Sequence, residues 1–98
     1  MSWPVGFHDA AEAELNEAAS YYDMESPGLG VAFLGDIRHA IDTISLFPEA
    51  AAMIRGRVRR KTLLRFPYAL IYSLRQAEIR ILAVAHQKRR PFYWRGRR

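Results

Sequence analysis

The apolar residues of this chain change their spacing once, at Pro48, and that change constrains the fold more than any other feature. Before it they recur at helical steps. Ala11, Leu15, Ala18 and Tyr22 share one helical face, and Leu34, Ile37, Ile41 and Ile44 share another. After it the apolar runs are short and rich in β-branched and aromatic residues, at Tyr68 to Leu74 and again at Ile79 to Ala85. Helices first and strands afterwards predict an α+β protein and argue against alternating βαβ units. The 98 residues leave room for a single domain, 1–98, with one modest core.

Two helices are expected, near residues 9–25 and 28–47. Asp9 is a suitable N-cap, and Glu12 stands three residues on as its capping-box partner. Glu14, Glu17 and Asp23 fall off the apolar stripe of this first helix. Ser26-Pro27-Gly28 breaks the run, and Ser26 is placed to cap a second helix with Pro27 at its first position. Phe33, Ala40 and Phe47 widen the stripe of the second helix, which Pro48 ends. A short break between two such helices predicts an antiparallel helical hairpin.

The second half is expected to form a sheet. Val58 to Phe66 mixes β-formers with basic residues. Tyr68 to Leu74 and the almost wholly apolar Ile79 to Ala85 flank a polar turn, Arg75-Gln76-Ala77-Glu78. Strands so close in sequence pair antiparallel, and the most apolar one belongs in the centre. Pro4 to His8 adds a short strand before the first helix. The expected order is β-α-α-β-β-β, a helical hairpin packed on one face of a small antiparallel sheet. A basic aromatic tail, 87–98, follows. Its Pro91-Phe92-Tyr93-Trp94 segment should anchor on the domain, because three adjacent aromatics are costly to leave in water. Arg95 to Arg98 should stay exposed, having no local acid to pair with.

Charge divides at nearly the same place as period. Residues 1–54 hold nine acids against one base, net −8, and residues 55–98 hold fourteen bases against one acid, net +13; together they give the +5 of the chain. The basic half suits nucleic acid or an acidic protein segment. A dipolar surface kept for solubility is the plainer alternative.

Several chemistries are excluded or disfavoured. With no cysteine there is no disulfide scaffold, thiolate metal site or thiol catalysis. His8, His39 and His86 are scattered, with no metal-ligand spacing, so no metal and no cofactor is expected. His39 beside Asp36 and Asp42 reads as ordinary helix surface. Gly28-Leu29-Gly30 lacks the preceding strand of a phosphate loop, no serine sits in a nucleophile elbow, and the carboxylates have the spacing of a solvated helix face. The opening Met1-Ser2-Trp3-Pro4 has neither a basic n-region nor a long apolar run, so no leader and no membrane span is expected, and the location expected is cytoplasmic.

What remains is the basic half. In a strand through Val58 to Phe66, alternation puts Arg59, Lys61 and Arg65 on one face and Val58, Thr62, Leu64 and Phe66 on the other, with Arg60 the exception. Such a ladder would bind phosphate or carboxylate by charge-assisted hydrogen bonds, or would guard an edge strand against aggregation. With Lys88, Arg89, Arg90, Tyr93 and Trp94 of the tail and His86 before it, these cations form the candidate partner-binding set. Were the chain a metal-free nuclease, His86, Arg89, Tyr93 and Lys61 would be its candidates for proton transfer and charge stabilisation.

The same residues carry a resemblance. Glu14-Leu15-Asn16-Glu17-Ala18-Ala19-Ser20-Tyr21-Tyr22, Pro27-Gly28-Leu29-Gly30, Phe66-Pro67-Tyr68-Ala69-Leu70-Ile71-Tyr72 and Ile81-Leu82-Ala83-Val84-Ala85-His86, followed by Lys88-Arg89-Arg90-Pro91 and Tyr93-Trp94, span almost the whole chain. Their order resembles the RelE/ParE superfamily of type II toxin–antitoxin toxins, and most of all its ParE-like branch, the plasmid stabilisation proteins. The resemblance implies a β-α-α-β-β-β toxin that arrests growth. It also implies a ParD-like antitoxin that wraps it with an amphipathic segment, here expected to be acidic. In the ParE branch the target is DNA gyrase and the toxin is no enzyme; in the RelE branch the toxin enters the ribosome and cleaves mRNA. RelE-type nucleases carry an arginine after the tyrosine that opens the middle hairpin strand, where this chain has Ala69, and another just past the last strand, where it has Gln87. Tyr93 does match their closing tyrosine. Losing one group that stabilises transition-state charge costs about a hundredfold in rate, so the resemblance favours the gyrase inhibitor, with the nuclease as the alternative.

Overall fold

The structure is a computed structural model and describes residues 2–98. Its elements in chain order are β1 (Val5–Phe7), α1 (Asp9–Glu25), α2 (Leu29–Leu46), β2 (Ala52–Arg55), β3 (Val58–Thr62), β4 (Tyr68–Arg75) and β5 (Glu78–His86). The expected α+β class and helical hairpin are present, with one more strand than the sequence suggested. The sheet runs β1-β5-β4-β3-β2, and it is mixed: β1 lies parallel to β5, while the other pairs are antiparallel. Parallel pairing at β1 is open to this chain because the whole domain intervenes between the two strands and acts as the crossover. The middle strand is β4, and the apolar β5 lies beside it, covered on its other edge only by the short β1.

β3 is not an edge strand. β2 pairs with it through Ala52↔Arg60 and Met53↔Arg59, so its arginines do not serve as edge protection. β3 also stops at Thr62, and the residues that follow form a loop, because Asp36 draws the chain toward α2. The carboxylate of Asp36 is buried and accepts from the Arg65 and Phe66 backbone N–H groups at 2.9 and 3.1 Å. Asp36 is therefore a structural clamp and not the open helix surface its polarity suggested.

The helices match their expected ranges to within a residue, but their caps differ. His8 caps α1, its Nδ1 accepting from the Ala10 N–H at 3.0 Å, which displaces Asp9 from that role. α2 begins at Leu29 behind Gly28, which sits at φ +87°, a left-handed conformation open to glycine. Its cap comes from α1: Asp23 Oδ1 accepts from the N–H groups of Gly28 and Gly30 at 3.2 and 3.1 Å, so Ser26 is not the cap. Leu34 and Phe47 turn outward and are exposed, leaving Phe33, Ile37, Ala40 and Ile44 as the buried stripe of α2.

The core has two layers. Between hairpin and sheet lie Ala11, Ala18, Phe33, Ile37, Ile44, Leu70, Tyr72, Ile79 and Ile81. On the opposite, outer face of the sheet Ala69, Ile71, Ala83 and Ala85 pack with Trp94 of the tail. The small alanines make room for the indole, so the chain closes its own second face.

Candidate functional site

The last strand is irregular where the tail meets it. Ile71 pairs with Ala83 and Tyr72 with Ile81, leaving Leu82 as a bulge. β1 ends opposite Ile81, so the β5 edge beyond it needs other partners. Val84 N–H donates to Glu14 Oε1 at 3.0 Å, and Arg97 Nη1 donates to the Leu82 carbonyl at 3.0 Å. Arg97 also pairs with Glu14, Nη1 to Oε1 at 3.0 Å and Nη2 to Oε2 at 3.1 Å, both side chains being largely buried. This two-pronged pair stands where β1 would have continued, and it ties the end of the tail to α1. Arg97 is therefore not part of an exposed arginine run, and Glu14 is not off the apolar face of α1. The signal for Glu14 was present in the sequence: it stands three residues after Ala11 and four before Ala18, on their side of the helix. Nothing local could have announced Arg97, whose partner is 83 residues away.

The tail aromatics are anchored unequally. Trp94 is buried, Tyr93 half-buried, and Phe92 keeps 36% of its surface in water, with Arg55 stacked over its ring. The Tyr93 ring is held between two guanidinium groups, Arg89 at 3.8 Å and Arg97 at 5.1 Å from its centroid. Its hydroxyl is buried beside Glu14 but makes no hydrogen bond of good geometry. Burial pushes the phenol pKa well above its ordinary value, and Glu14 adds to the shift while Arg89 and Arg97 partly offset it. The buried hydroxyl lacks the open access a proton-transfer group needs.

The cations expected to act together divide by face. Arg59 pairs with Tyr72 and Lys61 with Leu70, on the helix side, while Arg60 pairs with Ile71 on the outer side. Arg59 is structural: its Nη1 donates to the Glu49 and Ala51 carbonyls, each at 2.8 Å, and fixes the loop before β2. Arg60, Arg65, Lys88, Arg89 and Arg90 are exposed. His86 sits at the end of β5 on the helix side, its ring edge-on to Tyr68 at 4.9 Å and its Nδ1 accepting from the Lys88 N–H at 3.0 Å. Of the four nuclease candidates, His86, Arg89 and Tyr93 share the wall of one recess, while Lys61 stands two strands away on β3.

That recess, of about 250 Å³, opens between the tail and the outer face of the sheet, and Arg60, Gln87 and Arg90 also border it. A second, of about 500 Å³, continues from Arg60 and Gln87 to Arg65 and Tyr68 under the β3–β4 loop. A third lies between α1 and the end of β5, where Glu17 and Tyr21 face Tyr68, His86 and Arg89. The sequence reading missed Tyr21 and Tyr68 because both look like core residues, yet Tyr21 is 57% exposed. Among the described residues no group of three or more His, Asp and Glu side chains is placed to hold a metal ion, and no helix is long and apolar enough to cross a membrane.

This architecture has a solved counterpart. A chain of the structure "Chromosomal ParDE TA system from P. aeruginosa" superposes with a TM-score of 0.75 at 20% sequence identity, covering 87% of this chain and 96% of that one. At that identity the likeness is one of fold, and it sets the chain in a class of small α+β proteins that includes a member of a toxin–antitoxin system. The sequence is more specific. Residues 5–91 match the family described as "ParE toxin of type II toxin-antitoxin system, parDE", and the chain belongs to that family. No curated protein matches it in sequence.

Proposed function

We propose that this ParE toxin arrests growth in the cytoplasm by binding DNA gyrase, without bond-breaking chemistry of its own, and that a cognate antitoxin silences it. Membership of the ParE family supports the gyrase branch over the ribosomal one. The observation that carries the reading is the state of Tyr93. A nuclease of this superfamily would use that position for proton transfer, but here the hydroxyl is buried and makes no hydrogen bond of good geometry. The outer face of the sheet agrees. Where a cation would be needed to stabilise phosphorane charge there is Ala69, 4% exposed and packed with Trp94. The exposed cations Arg60, Arg65, Lys88, Arg89 and Arg90, three of which border the recess under the tail, offer a surface suited to carboxylates of a protein partner.

Tyr93→Phe tests the reading directly, since it removes only the hydroxyl and keeps the ring between its two guanidinium neighbours. Growth arrest should match wild type. A nuclease deprived of its proton-transfer group would lose about 100- to 10,000-fold in cleavage. Loss of arrest in a variant that still folds and expresses would overturn the inhibitor and favour the mRNA nuclease.

A further inference from the structure

A row of residues that borders none of the recesses crosses the outer face of the sheet. Arg55 of β2 pairs with Val58 of β3, Val58 with Ser73 of β4, and Ser73 with Arg80 of β5. Ser73 stands two residues from Ile71 and so shares its outer side, where Arg55 also lies over the ring of Phe92. The next row holds Arg75 opposite Glu78. At the β5 end Arg80 Nε donates to the Arg98 carbonyl at 3.3 Å, which brings the end of the tail beside the row. Arg55, Arg75 and Arg98 are exposed and Arg80 is half-buried.

The charge and the surroundings of this strip select its partner. The strands β2 to β5 and the tail carry a single acid, Glu78, set between Arg75, its partner across the turn, and Arg80, the next residue on its side of β5. Of the large apolar side chains exposed on the molecule only Phe92 borders the strip, and its ring already meets Arg55 and Trp94. The strip therefore lacks the apolar anchors that a protein partner buries. It also lacks a free ring on which unpaired bases could stack, because Trp94 is buried and Tyr93 is held between Arg89 and Arg97. What it offers is guanidinium groups spread over a flat face. Arg55 and Arg80 stand three strand spacings apart, about 14 Å at about 4.8 Å each. Over that length a DNA duplex presents about eight phosphate charges, one per ~1.7 Å of its axis.

We propose that this strip binds the sugar-phosphate backbone of duplex DNA, without reading its sequence. The inference deepens the gyrase reading and rests on it: the toxin grips the DNA that its target holds, as well as the enzyme. Arginine suits the task, since its planar fork bonds two phosphate oxygens at once. A stiff duplex with evenly spaced phosphates meets several such forks on a flat face without first having to be ordered.

The probe is a fluorescein-labelled DNA duplex of about 20 base pairs, titrated with the full chain and read by anisotropy across a salt series. With Arg55, Arg75 and Arg80 each on a phosphate, log K falls against log salt with a slope of about −3. Arg55→Ala, Arg75→Ala and Arg80→Gln, each checked for an unchanged circular dichroism spectrum, should each weaken binding about 5- to 10-fold at about 0.1 M salt and flatten the slope by about one. Arg38→Ala, the same change of charge on the exposed side of α2, should leave both unchanged. No binding at that salt overturns the strip, as does an equal loss from Arg38→Ala, which would mean that only net charge is felt. Single-stranded DNA or RNA of the same length that binds more tightly than the duplex overturns the duplex assignment. A polyglutamate peptide of equal charge that competes as well as the duplex overturns the nucleic-acid assignment. A supercoiling assay separates this proposal from the reading beneath it. If wild type inhibits gyrase but does not bind the duplex, the strip fails and the gyrase reading stands. If it binds the duplex with the expected slope and leaves supercoiling untouched, the gyrase reading fails and the strip stands. With both in place, Arg75→Ala should raise the concentration needed to inhibit gyrase by about the factor it loses on the duplex. An unchanged concentration overturns the grip on the DNA that gyrase holds.

Discussion

Gly30 marks the closest approach of α1 and α2. A β-carbon there would lie 2.5 Å from the Ala19 carbonyl oxygen, a backbone atom that cannot swing aside. Gly30→Ala should therefore destabilise the fold by about 1–3 kcal/mol, the usual range for overpacking, as read by chemical denaturation. An unchanged midpoint would show that the helices are free to separate. Tyr93 makes a second residue-scale prediction, through its proton. The folded protein keeps the phenol protonated to a higher pH than the unfolded chain, whose tyrosines ionise near about 10. The stabilisation is thus fully present below that value and is lost as pH rises above it. Tyr68 and Tyr72 shift in the same direction, chiefly through burial. Tyr93→Phe should flatten the alkaline fall in melting temperature without lowering stability at neutral pH, since it removes a buried hydroxyl that has no partner. An alkaline limb identical to wild type would contradict the account of this phenol. Residues of this kind explain much of what the sequence left hidden. Asp36 looks like any helix-surface acid until the β3–β4 loop folds onto it, and the Asp23 cap of α2 depends on the two glycine N–H groups being brought back to α1.

The two helices and the two long strands were legible to within a residue at their ends. The switch of period at Pro48 located the hairpin and the two long strands, because side-chain spacing reports which face is buried. It could not locate β2, whose four residues are mostly exposed and owe their extended form to pairing with β3. Nor could it show β1 lying parallel to β5, a pairing between chain ends. The tail was half legible: its aromatics had to be anchored, but the Arg97–Glu14 pair is a contact across 83 positions. That pair is testable as a unit. Arg97→Ala, Glu14→Gln and the double variant should show a coupling of about 0.5–3 kcal/mol, because each single change leaves a largely buried partner unmatched. Truncation after Trp94 should likewise lower the melting temperature, although it removes only four residues at the chain end. Additive effects in the cycle, or a truncated protein as stable as wild type, would mean that the tail is not pinned.

At the scale of the whole molecule, the chain uses its two faces differently. One face of the sheet carries the helical hairpin, and the other is partly covered by the chain's own Trp94, beside a recess that Arg60, Arg89 and Arg90 border. The candidate set read from the sequence lay in the tail and β3. Its members were separated by facts that only packing supplies: Arg59 is tied to two carbonyls, Trp94 is core, Tyr93 is enclosed, and Arg60 and Lys61 point to opposite sides. The proposed function turns on which partner the protein binds. The most direct measurement is a supercoiling assay with purified gyrase and relaxed plasmid, run with wild type and Tyr93→Phe. The account predicts that both proteins inhibit supercoiling, with equal potency, and that neither cuts mRNA on programmed ribosomes. Untouched supercoiling, together with ribosome-dependent cleavage by wild type and none by Tyr93→Phe, would contradict it.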